Sequence, residues 1–311
     1  MNFGENSIEL SMRILLLGKN GNLGRGIFHV FSQQNQFDLI APNKKELDLT
    51  DSRKTLEFVA KIKPYMIINS ASYTTNKSTS TDDAIKICKN NLTIHENLQF
   101  AAKSCEVLKY IDIGSASIYE SFPRQVILEK DFVNIDNYLP TLPYGNAKLI
   151  QTKKTIEQDS PKSTWTSLIL PYIVSFNENN LKETSGLFAR ISKQITEYIA
   201  GNNDLAILKN YDLTIKRQFV HSIDVGYFCK YLLEKEEVHG LVHMPKLQQM
   251  SINEFIQKHL VNFPRKSINR FQNSSTESQH PTIGSIWDNM INFNYKFTSD
   301  KCVALLQGHE L

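Results

Sequence analysis

Cysteine is scarce and scattered in this chain. Its four residues, Cys88, Cys105, Cys229 and Cys302, form no C-x-x-C pair. That excludes a disulfide framework and a cysteine-built zinc site, and points to reduced thiols in a cytoplasmic protein. The eight histidines show no H-E-x-x-H and no other paired-ligand spacing, so no metal site is expected. Neither sign of charge dominates. With 35 basic and 32 acidic residues the net charge is only +3, which gives no electrostatic case for a nucleic-acid partner. No apolar run approaches the ~18 residues a membrane helix needs, so no membrane partner is expected either. Residues 1–11 are polar and aperiodic, and Glu5 and Glu9 precede a short Ile14–Leu17 apolar run. The charge and length are wrong for a signal peptide; a loose leader is expected, with Met12 as an alternative start. No repeat recurs at a 20–50 residue period.

What is present is ordinary for a globular protein: 41% hydrophobic and 22% charged residues over 311 positions. That length fits one large α/β domain or two smaller ones. Short apolar runs alternate with helical stretches. The runs are Arg13–Leu17, Phe37–Ala41, Tyr65–Ile68, Val107–Ile113 and Ser167–Leu170. The helices are read at about 22–34, 51–61 with Thr50 as N-cap, 81–104 and 144–157. Continuous rather than alternating apolar strands mean helices on both faces of a parallel sheet. The expected fold is therefore α/β, a Rossmann-type doubly wound parallel sheet, over residues 1–170. A smaller α/β domain is expected over 171–311, with segments at about 217–235 returning to the first.

The first strand ends in Gly18-Lys19-Asn20-Gly21-Asn22-Leu23-Gly24. Glycine at such a strand-to-helix turn permits positive φ and lets a pyrophosphate approach the helix N-terminus without a Cβ in the way. The alternative is a tight turn that holds no ligand. After the second strand, a dinucleotide-binding fold places the residue that selects between cofactors. Here the run Ala41-Pro42-Asn43-Lys44-Lys45 has no acid and two lysines. Cations suit a 2′-phosphate, so NADP is expected, with NAD the alternative if Lys44 and Lys45 are only a solvated turn.

Tyr144 and Lys148 stand four residues apart on one face of a helix. An ammonium beside a phenol lowers its pKa from about 10, which makes it a usable acid for a carbonyl oxygen. The same spacing recurs at Tyr73/Lys77 and Tyr231/Lys235, so placement decides. Only Tyr144 follows an apolar strand that ends in hydroxyls, Gly114-Ser115-Ala116-Ser117-Ile118-Tyr119.

These segments, in this order, resemble the extended short-chain dehydrogenases/reductases. Within them the likeness is to the nucleotide-sugar 4-keto reductases, the dTDP-4-dehydrorhamnose reductase and GDP-L-fucose synthase branches. Glu46-Leu47-Asp48-Leu49-Thr50-Asp51 is similar to the rhamnose-branch E-L-D-L-T-D, and Ile68-Asn69-Ser70-Ala71-Ser72-Tyr73-Thr74 to its I-N-A-A-A-Y-T. Asn91 and Asn97 match two asparagines of the next helix. Gly114–Tyr119 resembles the fucose-branch G-S-S-C-I-Y, Pro143–Lys148 matches P-Y-x-x-x-K, and Lys216–Asp224 is similar to M-R-E-F-L-H-V-D-D. The likeness covers roughly residues 12–225.

The resemblance implies a catalytic set of Ser115, Tyr144 and Lys148. It implies cofactor contacts from Gly18, Gly21, Asn22, Leu23, Gly24, Asn43, Lys44, Lys45, Asp48, Leu49, Ser70, Ala71, Ser72 and Tyr73, with Tyr144 and Lys148. It implies substrate contacts from Ser117, Lys193 and Arg217; Lys193 also fits a solvated helix face. Ser117 stands where the fucose branch has the cysteine that helps epimerise the sugar, and Leu181–Leu187 holds no histidine to act with it. No epimerising step is expected. His221 is expected to pack or cap the helix near Asp224. The implied activity is NADPH-dependent reduction of the 4-keto group of a nucleotide-linked 6-deoxy sugar. Alternatives are an epimerase or dehydratase of the same fold, or a non-catalytic cofactor-binding regulatory subunit. The fold often pairs through helices flanking the active site, which leaves a homodimer open.

Overall fold

The computed structural model describes residues 12–73, 80–123, 126–174, 213–214, 216–245, 247–260 and 282–283. Six parallel strands form the central sheet: β1 (Met12–Leu17), β2 (Phe37–Ile40), β3 (Met66–Asn69), β4 (Lys109–Ile113), β6 (Thr164–Ile169) and β9 (Gly240–His243). Their spatial order is β2-β1-β3-β4-β6-β9. The helices between them are α1 (Asn22–Ser32), α2 (Ser52–Ile62), α3 (Thr81–Ser104), α4 (Pro143–Ile156) and α5 (Ser222–Glu234). This is the doubly wound sheet expected from the sequence.

The apolar strands follow from burial on two faces. In β1, Ile14 and Leu16 pack with α1 and α5, while Leu15 and Leu17 pack with α2 and α3. From Ile14 to Leu17 no position faces water, so each is apolar. Each such side chain contributes about 1.5–3 kcal/mol relative to exposure.

Several boundaries differ from the sequence reading, and two have a visible cause. The N-cap of α2 is Asp51, whose side chain accepts from the Lys54 amide, and not Thr50. Thr50 is already engaged, since its amide and hydroxyl both donate to Asp48 Oδ1. Strand β6 begins at Thr164, because Trp165 is buried and stacks on Tyr110 with ring centroids 4.5 Å apart.

Beyond β6 the chain serves two structures. β7 (Tyr172–Val174), β8 (Lys216–His221) and β10 (Gln248–Ser251) make a three-stranded sheet in the order β10-β8-β7, and α6 (Ile252–Leu260) follows it. β5 (Val126–Ile127) pairs with β11 (Thr282–Ile283), and the Gln218 amide brackets the Ile283 backbone with two 2.7 Å bonds. Between β8 and β10 the chain returns to the main layer as α5 and β9. α5 crosses α1 in backbone contact: a Cβ on Gly26 would lie 2.4 Å from the Ser222 carbonyl carbon. The other end of α5 is tied to β4, where buried Lys109 donates to the carbonyls of Leu232 and Leu233 at 3.2 and 2.9 Å. A cation is well placed at those unsatisfied helix-end carbonyls.

His221 caps α5, as expected, with Nδ1 accepting from the Ile223 amide at 3.3 Å. Burial, helped by nearby His29, pushes its pKa down to about 3. Unfolded, the same ring titrates near 6.5. Between those values the unfolded chain binds a proton that the folded one refuses, so stability falls as pH drops. The expected slope from this group is about 1.4 kcal/mol per pH unit below pH ~6.5. His221→Asn keeps a capping acceptor and removes the titration. Urea unfolding between about pH 4 and 7 should show a shallower loss of stability in the variant; equal slopes would contradict this account.

Candidate active site

The glycine loop is built by close approach. Gly18 has φ +86°, and a Cβ there would lie 2.7 Å from both the Ser70 carbonyl carbon and the Ala71 nitrogen. Its carbonyl accepts from the Gly21 amide at 2.9 Å. A Cβ on Gly24 would stand 1.9 Å from that same carbonyl oxygen. Only glycine fits either place. Gly21 is the N-cap of α1 and, having no side chain, adds no cap of its own where the helix opens at Asn22. Such an end attracts a phosphate.

The loop forms one wall of an open cleft of about 760 Å³ at the carboxyl ends of β1, β2 and β3. Gly18, Gly21, Asn43, Lys44, Asp48, Leu49, Ser70, Ala71, Ser72 and Tyr73 all line it. Asn22, Leu23, Gly24 and Lys45 do not; the first three open α1, and Lys45 lies in the turn after Asn43. The lining also includes Lys19, Asn20, Pro42, Leu47 and Ile94. The first four lie inside segments the sequence singles out, while Ile94 is brought in from α3 by the fold.

The walls are fastened from several sides. Ser70 donates through its amide and its hydroxyl to Leu17 O, at 3.1 and 2.6 Å. Asn91 clamps Tyr73 by accepting from its amide at 2.8 Å and donating to its carbonyl at 2.9 Å. Asn97 donates to Leu49 O at 2.9 Å. The two asparagines of α3 thus hold both sides of the cleft.

On the β2 side, Asn43 Oδ1 accepts from the amides of Lys45 and Glu46, which makes a tight turn. This turn presents Lys44. Its ammonium donates to Tyr73 Oη at 2.5 Å across the cleft mouth, and that bond raises its pKa. The amide and hydroxyl bonds from Thr50 lower the Asp48 carboxyl, so it stays charged.

The second group lies one strand further along. Ser115 follows β4 and caps a 3-10 turn over Ala116–Tyr119. Its Oγ accepts from the Ser117 amide at 3.2 Å and the Ser117 hydroxyl at 2.9 Å. With both lone pairs used, its own proton is left to donate elsewhere. The start of α4 abuts this turn, since a Cβ on Gly145 would lie 2.9 Å from Ser117 O. Tyr144, half-buried, precedes that glycine in the first turn of α4. One turn on, Lys148 is buried and its ammonium donates to Ile113 O at 2.8 Å.

Of the other tyrosines with the same spacing, Tyr73 sits in a loop and Tyr231 stacks on Phe228 in α5. Arg217 is buried on β8, opposite Met250 of β10. Lys193 lies outside the described residues. Among the described residues no three His, Cys, Asp or Glu side chains gather into a metal-ligand set, and no helix is long and apolar enough to cross a membrane.

A doubly wound sheet, a glycine cradle with no room for a Cβ, and a helix N-terminus facing an open cleft define a Rossmann-type dinucleotide-binding protein. The donors and the cradle fit a nicotinamide dinucleotide. Comparison with known proteins agrees. Residues 14–242 match the NAD dependent epimerase/dehydratase family, and the chain belongs to it. It is an NAD(P)-dependent enzyme of the oxidoreductase class. GDP-L-colitose synthase from Yersinia pseudotuberculosis is 24% identical over 71% of this chain and 72% of that protein. A putative GDP-L-fucose synthase 2 from Arabidopsis thaliana is 23% identical over 86% and 82%. Among solved structures, a GDP-D-glycero-L-gluco-heptose synthase from Campylobacter jejuni, crystallised with NADPH, superposes with a TM-score of 0.73. It is 15% identical, with 96% of this chain and 99% of that one covered.

Proposed function

We propose that this enzyme reduces the 4-keto group of a nucleotide-linked 6-deoxy sugar with NADPH, in cytoplasmic deoxysugar and surface-polysaccharide synthesis. The observation that carries the reading is the buried Lys148 ammonium, anchored on Ile113 O one turn after Tyr144 and beside the Ser115 turn. The coenzyme, when bound, supplies the hydride. Its pyrophosphate is assigned to the Gly18–Gly24 loop and the start of α1 at Asn22 and Leu23. Its adenine is assigned to Asp48 and Leu49, its 2′-phosphate to Asn43, Lys44 and Lys45, and its remaining length to Ser70, Ala71, Ser72 and Tyr73.

Three side chains would do the work. Ser115 donates its free proton to the carbonyl oxygen and stabilises the negative charge that builds there. Tyr144 gives up its phenolic proton to that oxygen, yielding the alcohol. Lys148 contributes its charge, which favours the phenolate left behind, and holds the cofactor ribose. Ser117 borders the sugar. Arg217 and Lys193 are assigned to the substrate diphosphate, which suits a guanidinium fork and a point cation.

Ser117 is a far weaker acid than a thiol, so reduction without epimerisation is expected. GDP- and dTDP-linked 4-keto-6-deoxy hexoses should be tested with NADPH in deuterated water. One of them should be reduced with no enzyme-dependent label at carbons 3 and 5. Rapid label uptake before reduction would move the assignment to an epimerising enzyme.

Tyr144→Phe keeps the ring and removes the proton. It should lower turnover by about 10²–10⁴-fold with little change in NADPH affinity, measured where chemistry limits the rate. Tyr231→Phe should change nothing. Full activity in Tyr144→Phe would favour a cofactor-holding regulatory subunit instead.

The cofactor preference has its own check. NADPH should bind more tightly than NADH, and Lys44→Ala/Lys45→Ala should narrow the gap. Equal affinities in the unaltered chain would remove the NADP assignment.

A further inference from the structure

Of the two adjacent lysines after β2, only Lys44 lines the cleft, and a side chain from the opposite wall holds it there. Its ammonium donates to Tyr73 Oη at 2.5 Å and lies 4.8 Å from the centre of the Tyr73 ring. The ring face attracts a cation, and the hydroxyl oxygen takes one of its protons. The cofactor contacts assigned above give this hydroxyl no part.

Tyr73 is the fixed member of the pair. Asn91 clamps its amide and its carbonyl, and its ring packs against the buried cluster that contains Leu47, Leu49 and Ile94. Lys44 is the adjustable member. It rides on the turn that Asn43 Oδ1 closes, and a lysine stem rotates freely unless its end is held.

The two acids of this wall have other partners. Glu46 Oε2 accepts from the Asn43 amide at 2.6 Å, and Asp48 Oδ1 accepts from the amide and hydroxyl of Thr50. Asp48 acts on Lys44 less than Tyr73 does. A carboxylate in the place of Tyr73 would cancel the ammonium charge, whereas a hydroxyl orients it and leaves it whole. An ammonium has three protons, so two remain after the bond to Tyr73. The phenol oxygen accepts there, so its own proton also remains to be donated. Two adjacent donors carrying a net positive charge suit a phosphate monoester.

We propose that Tyr73 is a specificity-determining residue: its hydroxyl fixes the Lys44 ammonium over the cleft and donates its own proton to the same 2′-phosphate. The proposal rests on the assignment of Lys44 to that phosphate and names the partner that makes the lysine selective.

The test compares two probes that differ only in the 2′-phosphate, adenosine 2′,5′-bisphosphate and adenosine 5′-monophosphate. Their binding to the full-length protein is measured by calorimetry, with no substrate. Y73F keeps the ring, its packing and the Asn91 clamp. It should weaken the bisphosphate about tenfold and leave the monophosphate within about twofold. K44M should do the same. The double variant Y73F/K44M should lose less than the product of the two single losses, because each side chain holds the other.

An unchanged bisphosphate preference in Y73F would overturn the proposal. So would an equal loss for both probes, which would make Tyr73 a wall of the cleft or a contact of the 5′-phosphate. Losses that multiply independently in the double variant would also overturn it. Equal binding of the two probes by the unaltered chain would instead sink the parent assignment of Lys44, and that result is read before any variant is made.

Discussion

Gly18 lies so close to Ser70 and Ala71 that the exits of β1 and β3 are effectively one surface. The two strands leave the sheet side by side, joined by the two hydrogen bonds that Ser70 donates to Leu17 O. With the exits held together, the chain after β1 must turn at once, and Gly24 must rest on the Gly18 carbonyl for α1 to start where it does. The cleft exists because these contacts leave no room for side chains on its floor. A methyl group at Gly18 or Gly24 would separate the loop from β3 or from itself, and the helix N-terminus would no longer face the cleft.

α3 carries this arrangement across the molecule. Over 24 residues it places Asn91 on Tyr73, Ile94 in the cleft, His95 against Asp112 and Asn97 on Leu49. The same helix packs on α4, where Gln151 donates to Asn91 O at 3.1 Å. The asparagine that clamps the cofactor wall is thereby tied to the helix that bears Tyr144 and Lys148. Side chains that are buried and hydrogen-bonded thus link the cleft wall to α4.

Periodicity and glycine placement made the main sheet, the loop and the Tyr144 helix legible in the sequence. These features are local: a strand buried on both faces is apolar throughout, and a turn with no room for Cβ spells glycine. Other features carry no local mark. Thr50 and Asp51 are both good N-caps, and the choice is made by Asp48, which already holds Thr50. The start of β6 was missed because Thr164-Trp165-Thr166 reads as polar until Tyr110 stacks on the tryptophan. Lys109 reads as one more surface lysine, yet it closes the end of α5 from 124 residues away. His95 and Asp112 sit on different elements with no shared spacing, so only the fold brings them together.

The burial of Lys148 bears on whether the site works or merely holds a cofactor. An ammonium drawn from water beside a sheet loses solvation, and one carbonyl bond to Ile113 does not restore it. A second lysine in this chain, Lys109, is also buried; there desolvation lowers its pKa, and two helix-end carbonyls receive it. That lysine closes a helix and has an evident structural purpose. Lys148 joins two elements instead: its ammonium reaches from α4 to the Ile113 carbonyl at the end of β4, two residues before Ser115 caps its turn. The helix that bears Tyr144 is thereby held against the strand that leads into that turn, which is where a reacting carbonyl would need both.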